Sequence, residues 1–411
     1  MSMIKVKNFG PIKTGFEEDN GFIDIRKATI FIGNQGTGKS SIAKLISTLI
    51  WLEKALYRGE VTEKYATSYS RFTNTYCNYQ NLKNYFLPET EIEYEGKVYN
   101  IRYKENKLSI DTVDNTKNYV VPKIMYVPAE RNFLSAVTQP EKLKGLPQSL
   151  YTFLEELERS QQELSSSLRL PIGDVEFEFD KRNRISNIVG NGYKLRLSEA
   201  SSGFQSLVPL FLVSRNLALS INKEKDSSRN EMSSEEQKRL KAEIEKILSN
   251  QNLSDELKQT ALGILSSKYR NGCFINIVEE IEQNLFPESQ RDLLYKLLEF
   301  VNLTVDNKLI LTTHSPYIIN YLTLAIKGSA ILQKISSLSN TDELDHQLDS
   351  IVPKLACISA SDVIIYELTK EGEIKRLPDY NGLPSDENYL NVSLDETNQS
   401  FYDLLEIEES L

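Results

Sequence analysis

One short segment restricts the possible folds of this chain more than any other feature, and it runs Gly33-Asn34-Gln35-Gly36-Thr37-Gly38-Lys39-Ser40. Its spacing is that of a G-x-x-x-x-G-K-S/T phosphate-binding loop. Glycines in such a loop allow successive backbone N–H groups to point at phosphate oxygens, and the following helix adds a partial positive charge at its N-terminus. The β-rich run 29–32 precedes the segment and apolar residues at helical spacing follow it, so the sequence predicts a strand–loop–helix unit.

The chemistry of this segment lies at its end. We expect Lys39 to reach the β and γ phosphates of a bound nucleotide, and we expect the Ser40 hydroxyl to ligate Mg²⁺. A glycine-rich turn without a ligand is the alternative interpretation. The predicted nucleotide-binding residues of the segment are Gly33, Asn34, Gln35, Gly36, Thr37, Gly38, Lys39, Ser40 and Ser41.

The composition of the chain limits the functions that it can have. The chain has 411 residues and a formal net charge of -10, which argues against broad, non-specific wrapping of nucleic acid but leaves a local basic patch possible. Its three cysteines are far apart, which favours isolated thiols over a disulfide framework or a zinc site. The N-terminus has no signal segment, and no apolar run approaches the length of a membrane span. These features predict a cytoplasmic protein without a membrane partner.

Strands that alternate with helices predict an α/β fold with a mostly parallel core sheet. A hairpin expected at 91–103 adds an N-terminal antiparallel β subdomain to this core. The highly charged stretch 220–270 contains a helical stripe of apolar residues and is predicted to be a helical insertion. We expect one main domain over 1–325 and a small C-terminal α/β extension over 326–411, which contains a hairpin and an acidic tail.

An apolar strand at 274–278 is followed by two carboxylates, Glu279 and Glu280. At the tip of the strand, Glu279 is placed to hold the water shell of Mg²⁺, and Glu280 is placed to polarise an attacking water. Because Glu282 is acidic as well, the start of a surface helix is an equally good interpretation of these residues taken alone.

Two further segments contain residues suited to phosphate chemistry. The apolar strand 309–313 leads into His314, which is placed to sense the γ-phosphate, although a histidine at this position is more often a strand-end cap. Ser201, Ser202 and Gly203 precede an apolar helical run, and small residues at a helix N-terminus form an anion site. A serine-rich helix cap is the simpler interpretation of these three residues.

The order of these motifs resembles that of ABC-type ATPase domains. The phosphate loop, Ser201–Gly203, Glu279-Glu280 and the run 312–316 are together similar to the overcoming-lysogenization-defect (OLD) class, whose relatives include the Rad50 and SMC heads. The opening run 4–11 and the run 127–131 are also similar to that class. The resemblance covers about residues 1–325 and implies an ABC-type, Rad50/SMC head-like P-loop ATPase fold with ATP and Mg²⁺ as cofactors.

The resemblance also implies a role for individual residues. Lys39 and Ser40 hold phosphate and metal, Glu279 supports Mg²⁺, and Glu280 is the catalytic base. His314 resembles the switch histidine, and Ser201–Gly203 resembles the signature that contacts the γ-phosphate in a second protomer. A homodimer or a higher even-numbered oligomer follows from this arrangement. The glutamine expected after the middle strand is absent, and Glu130, Arg131 and Asn132 are the candidates for its role.

Segments missing from the chain point to a separate partner. The chain has neither the long coiled coil of Rad50 and SMC proteins nor the glutamate and Asp-x-Asp strands of a TOPRIM nuclease. The Gly33-Asn34-Gln35-Gly36 loop and the short length of the chain resemble the ATPase subunit of the phage anti-restriction-induced system, a stand-alone OLD-like ATPase that works with a TOPRIM-type effector. The resemblance therefore implies an antiphage sensor or scaffold that controls a separate effector in response to a phage-encoded trigger protein. The alternatives are a repair or recombination ATPase that acts directly on DNA, and a nucleotide-dependent module with negligible turnover.

Overall fold

A seven-stranded sheet lies at the centre of the computed structural model, which describes residues 2–113, 119–137, 139–222, 234–250, 254–338 and 342–410. The strands are β1 (Ser2–Phe9), β2 (Gly15–Phe16), β3 (Ile23–Ile25), β4 (Ala28–Gly33), β5 (Phe86–Glu95), β6 (Tyr99–Lys104), β7 (Lys107–Thr112), β8 (Pro122–Val127), β9 (Leu168–Arg169), β10 (Glu176–Asp180), β11 (Ile185–Gly190), β12 (Tyr193–Arg196), β13 (Cys273–Val278), β14 (Lys308–Thr312), β15 (Val363–Leu368), β16 (Glu373–Arg376), β17 (Asp379–Tyr380) and β18 (Leu383–Pro384). The helices are α1 (Lys39–Arg58), α2 (Glu63–Thr67), α3 (Arg131–Ala136), α4 (Gln148–Glu163), α5 (Ser202–Asn222), α6 (Ser234–Leu248), α7 (Asp255–Tyr269), α8 (Pro287–Asn302), α9 (Pro316–Ile335), α10 (Asp342–Ile351) and α11 (Tyr389–Glu409).

The central sheet has the strand order β2-β16-β15-β4-β14-β13-β8, and its five strands from β15 to β8 are parallel. Every residue of β4 and β13 is buried, as expected for strands covered by helices on both faces. In a parallel sheet all strands end at the same edge. The loops after β4, β8, β13 and β14 therefore meet there, and the predicted mostly parallel core is confirmed.

A second, antiparallel sheet has the strand order β3-β1-β5-β6-β7. Alternate residues of β1 are buried, and these include Ile4 and Val6. They pack against apolar residues of α1, whose opposite side faces Phe31 and Ile277 of the central sheet. The predicted N-terminal antiparallel β subdomain is confirmed, and α1 lies between the two sheets.

Helix α5 packs on the other face of the central sheet, with α4 and α8 as neighbours. Its segment Ser202–Ile221 is long and apolar enough to cross a membrane, and 67% of that window is buried inside the fold. The expectation that no apolar run approaches this length was therefore wrong. The apolar composition of α5 is explained by its place in the core, where it contacts the sheet and the helices α3, α4 and α8.

The predicted helical insertion is confirmed for the residues that the structure describes. Helices α6 and α7 form a pair in which Leu240, Ile244 and Ile247 pack against Leu265 and Tyr269. Helix α5 extends to Asn222, beyond the predicted start of the insertion at 220. Residues 223–233 and 251–253 of the insertion lie outside the described residues.

The C-terminal residues belong to the core and do not form a separate extension. The predicted boundary at residue 325 lies inside α9, and β15 pairs in parallel with β4 in the register Val363↔Ala28 to Leu368↔Gly33. The physical reason is the apolar run in β15, whose first four residues are all buried and therefore need cover on both faces. The expected hairpin is present as β15 and β16, and the acidic tail forms α11.

Candidate nucleotide-binding site

The phosphate loop joins β4 to α1, as the sequence predicts. Three glycines in it have positive φ, namely Gly33 (138°), Gly36 (80°) and Gly38 (104°), a backbone conformation that other residues rarely adopt. A Cβ at Gly33 would lie 2.3 Å from the carbonyl oxygen of Leu368, so this position also has no room for a side chain. The loop thus rests on β15 and turns directly into the first turn of α1.

The Lys39 ammonium points back into this loop. Its Nζ donates hydrogen bonds to the carbonyl oxygens of Gly33 (2.8 Å) and Asn34 (2.7 Å), and it lies 3.4 Å from Nδ1 of His314. Burial lowers the pKa of Lys39 to about 8, although the carboxylates of Glu282 and Glu280 act in the opposite direction. A partly desolvated cation in a glycine-rich loop at a helix N-terminus is suited to binding phosphate oxygens.

The lowered pKa makes nucleotide affinity depend on pH. Below pH 8, Lys39 carries its proton, whereas the free protein loses that proton as the pH rises through about 8. Since a bound phosphate favours the charged lysine, binding above this pH must take up a proton. We expect the dissociation constant for Mg-ATP to rise about tenfold per pH unit above pH 8. Titrations between pH 7 and 10 measure the slope.

Replacing Lys39 with arginine is the matched control for this pH dependence. The guanidinium stays protonated over the whole range, so the slope should flatten whatever the absolute affinity of the variant is. A slope of equal size in both proteins would mean that another group titrates.

Glu279 follows β13 and its carboxylate is almost fully buried. Oε2 accepts a hydrogen bond from the Ala129 N–H (3.3 Å), and Oε1 lies 3.7 Å from the Lys44 ammonium. Oε1 has no hydrogen-bond partner among the described residues. Lys44 is one helical turn beyond Ser40 on α1, so Glu279 lies beside the start of this helix. A buried carboxylate oxygen with unused capacity and the Ser40 hydroxyl are the oxygen ligands that Mg²⁺ prefers.

Glu280 is the more exposed member of the pair, with 38% of its side chain accessible. Its backbone has φ of 45°, and its N–H donates to the Thr312 hydroxyl at 3.1 Å. Its Oε1 lies 3.9 Å from Nε2 of His314. His314 therefore lies between Lys39 and Glu280, and the structure brings these three predicted residues together.

Glu282 holds the histidine in place, and the sequence did not reveal this role. Its carboxylate accepts hydrogen bonds from the His314 backbone N–H (2.5 Å) and from the Thr313 hydroxyl (2.8 Å). Burial, followed by the nearby Lys39 charge, lowers the pKa of His314, which favours a neutral imidazole. The sequence shows only a third acidic residue after β13, which by itself is equally consistent with the start of a surface helix.

Ser201, Ser202 and Gly203 lie at the start of α5, where both serines are exposed. No hydrogen bond joins these three residues to Gly33–Ser41 in the described part of the chain. Gly203 packs closely against the segment that carries the acidic residues, because a Cβ here would lie 3.0 Å from the Asn284 carbonyl oxygen. The signature candidate is thus attached to Glu280 through its neighbours and is accessible from outside the chain.

Of the three candidates for the role of the missing glutamine, the structure singles out Arg131. Its side chain is fully buried, whereas Glu130 is exposed and Asn132 is half-buried. The Arg131 guanidinium donates to the carbonyl oxygens of Glu279 (2.7 Å) and Glu280 (2.7 Å). It contacts the backbone that holds both carboxylates, which a sequence pattern alone does not predict.

Most of the chain matches a known protein family. Residues 1–319 match the family model described as an AAA ATPase domain. No curated protein matches the chain. Among solved structures, the chain is similar to the SMC head domain from Thermotoga maritima, with 12% identity, 78% of this chain and 90% of that chain covered, and a TM-score of 0.34.

Two other solved structures are similar at lower identity. One is the Smc head domain with an extended coiled coil bound to the C-terminal domain of ScpA derived from Pyrococcus furiosus, with 9% identity, coverage of 98% and 100%, and a TM-score of 0.36. The other is the dimeric post-hydrolysis state of the ATP-binding cassette MJ0796 bound to ADP and Pi, with 10% identity, coverage of 92% and 100%, and a TM-score of 0.28. At these values the assignment to a family rests on the matched family model and on the site.

Proposed function

Because the chain belongs to the AAA ATPase domain family, we propose that it binds Mg-ATP in the phosphate loop and hydrolyses it between two copies of the chain. The observation that carries this proposal is the convergence of Lys39, His314 and Glu280 at the edge of the central sheet, within 3.4 and 3.9 Å contacts. A phosphate-binding cation, a sensor of the terminal phosphate and a base are the groups that hydrolysis of ATP requires.

Each residue has a defined part in this mechanism. Lys39 and the loop N–H groups bind the β and γ phosphates, and the Glu280 carboxylate orients the attacking water and accepts its proton. His314, neutral and held by Glu282, contacts the γ-phosphate. Ser40 and Glu279 would hold Mg²⁺, which supplies neutralisation of the phosphate charge when it is bound.

The same geometry supports closure by a second copy. Ser201–Gly203 faces outward at the N-terminus of a 21-residue helix, where unpaired N–H groups attract anions. In a head-to-tail pair, the signature of one copy completes the phosphate site of the other copy. ATP then acts as the latch between the two copies, and hydrolysis releases it.

We further propose that the chain is an OLD-class ATPase that acts in the bacterial cytoplasm as an antiphage sensor or scaffold. It would hold a separate effector, a TOPRIM-type nuclease, and respond to a phage-encoded trigger protein. Support comes from the motif resemblance together with α11, an acidic helix that exposes Phe401, Leu404 and Leu405 and offers a surface for a partner. Closure on ATP changes the affinity for such a partner only if the partner distinguishes the two states.

Replacing Ser202 with arginine tests the latch. The bulky side chain should block the second copy, while the phosphate loop of the same chain stays intact. With a slowly hydrolysed ATP analogue and Mg²⁺, light scattering should show a doubled mass for the wild type and a monomer for Ser202→Arg. The variant should still bind the analogue in its own phosphate loop. Its affinity should be lower only because the contacts from the second copy are missing.

Both proteins can then be carried into co-purification with the product of the neighbouring gene. A nucleotide-dependent complex with the wild type that Ser202→Arg does not form would support the effector role. The proposed ATP-dependent dimer would be contradicted if the wild type stayed monomeric with the analogue. It would also be contradicted if the variant dimerised as well as the wild type.

A further inference from the structure

Arg131 is a buried cation whose partners are backbone carbonyls. Its side chain is 0% exposed, at the start of α3. Besides the carbonyl oxygens of Glu279 and Glu280, its guanidinium donates to those of Pro128 (3.2 Å) and Ser206 (3.2 Å). No ion pair of Arg131 is present within the described ranges. Burying a cation in this way is costly, and burial lowers the pKa of Arg131 to about 10, which still leaves it protonated at neutral pH.

The four carbonyls belong to three different parts of the site. Pro128 follows β8, and Glu279 and Glu280 begin the acidic loop, which we define as residues 279–285. Ser206 lies in the first turns of α5, one helical turn after Ser202. A planar guanidinium with five donors in a fixed fork is suited to fixing these carbonyls at defined positions.

A second contact fastens the acidic loop to the same turn of α5. The Asn284 side-chain amide donates to the Ser206 hydroxyl at 3.0 Å. The Asn284 carbonyl oxygen also approaches Gly203 so closely that a Cβ there would lie 3.0 Å away. A displacement of the start of α5 must therefore move the acidic loop or break these contacts. Glu282 extends the connection to His314.

We propose that Arg131 is a positioning residue that couples the two nucleotide sites of the dimer. Within one copy it joins the signature helix, which acts at the site of the second copy, to Glu279 and Glu280, which act at the copy's own site. When the nucleotide bound to the second copy contacts Ser201–Gly203 of the first copy, Glu280 of the first copy is brought into the position needed to hydrolyse the nucleotide in the first copy's own site. This inference rests on the proposed ATP-closed dimer and adds the residue that links the two sites within each copy.

Replacing Arg131 with lysine tests the coupling, because lysine keeps the charge but cannot reach all four carbonyls. We expect kcat for ATP hydrolysis to fall on the order of 30-fold to 100-fold, the range that a misplaced reacting group produces. The dissociation constant for Mg-ATP should change less than about threefold, since among the described residues no hydrogen bond joins Arg131 to the phosphate loop. The Hill coefficient for ATP, which is at most 2 for two sites, should fall from above 1 to about 1.

Arg58 provides a matched control at the far end of α1. It is equally buried and also donates to backbone carbonyls, those of Lys268 and Tyr269. It is about 28 Å along the helix from Lys39. The variant Arg58→Lys should lower the melting temperature as much as Arg131→Lys but should keep the wild-type kcat and Hill coefficient.

Asn284→Gly supplies a milder change at the second contact. Glycine keeps the positive φ of 59° at this position and removes only the bond to Ser206. We expect kcat to fall by less than about tenfold and the Hill coefficient for ATP to be lower than that of the wild type.

Three results would overturn the coupling. They are an unchanged Hill coefficient in Arg131→Lys, a loss of activity that Arg58→Lys reproduces, and a wild type that dimerises and hydrolyses ATP with a Hill coefficient of 1. In each of these cases the ATP-closed dimer itself survives. A wild type that does not dimerise with ATP would instead overturn the proposed function, and the coupling with it.

Discussion

Replacing Glu280 with glutamine is expected to lower kcat for ATP hydrolysis by about 10²–10⁴-fold, the usual contribution of a general base. Glutamine has the same shape but accepts no proton. The Glu280 side chain is 38% exposed, so the substitution leaves no buried charge without a partner. Affinity for Mg-ATP should therefore be close to that of the wild type. Steady-state phosphate release and equilibrium ATP binding measure the two quantities separately.

The same variant should accumulate as an ATP-bound dimer, because ATP joins two copies but is not hydrolysed, so the copies stay together. Light scattering with ATP and Mg²⁺ detects this species without an analogue. The control is Glu282→Gln, which removes an equal charge two residues further along the chain. Since the Glu282 carboxylate accepts hydrogen bonds from Thr313 and His314 and is not placed as the base, its loss should lower kcat far less. The reverse order of the two variants would identify Glu282 as the base.

Replacing Lys39 with alanine should strongly lower ATP hydrolysis by weakening ATP binding. The Lys39 ammonium is the cation that faces the centre of the loop, where it contacts the Gly33 and Asn34 carbonyls in the free protein. Truncating one partner of a buried, charged hydrogen bond costs about 2–5 kcal/mol, which corresponds to a dissociation constant raised roughly 30-fold or more. Calorimetric titration with Mg-ATP gives the affinity directly.

The control for Lys39→Ala is Lys44→Ala, one turn beyond the first turn of the same helix. Lys44 is 25% exposed and lies 3.7 Å from Glu279, so its loss should weaken ATP binding by less than about tenfold. Thermal melting should show that both variants are folded, because removing Lys39 also removes a desolvated charge. Wild-type ATP affinity in Lys39→Ala would rule out the loop as the phosphate site.

The parts of the site that the sequence predicts are local ones. The phosphate loop, the helix after it and the acidic end of β13 follow from spacing and periodicity within a few residues. Arg131 and Glu279 are 148 residues apart, and no local pattern reports that they touch. The same holds for Glu282, whose role depends on β14 lying next to β13.

The misplaced C-terminal boundary has a similar cause. An apolar run such as 363–366 predicts a buried strand but not its neighbour, since parallel partners are joined through distant connections. The choice of β4 as that neighbour depends on which edge of the sheet is open after β14 has paired. Only the assembled sheet determines this.

The pairing of Gly33 with Leu368 has a consequence for synthesis of the protein. The phosphate loop ends at Ser40, whereas β15, the strand on which the loop rests, begins only at Val363. While the ribosome translates the residues between them, the edge of β4 lacks its final partner, and pairing over such a separation is slow. The nucleotide site therefore matures only after β15 has emerged from the ribosome. A polypeptide interrupted before β15 is expected to be inactive although it contains the complete phosphate loop.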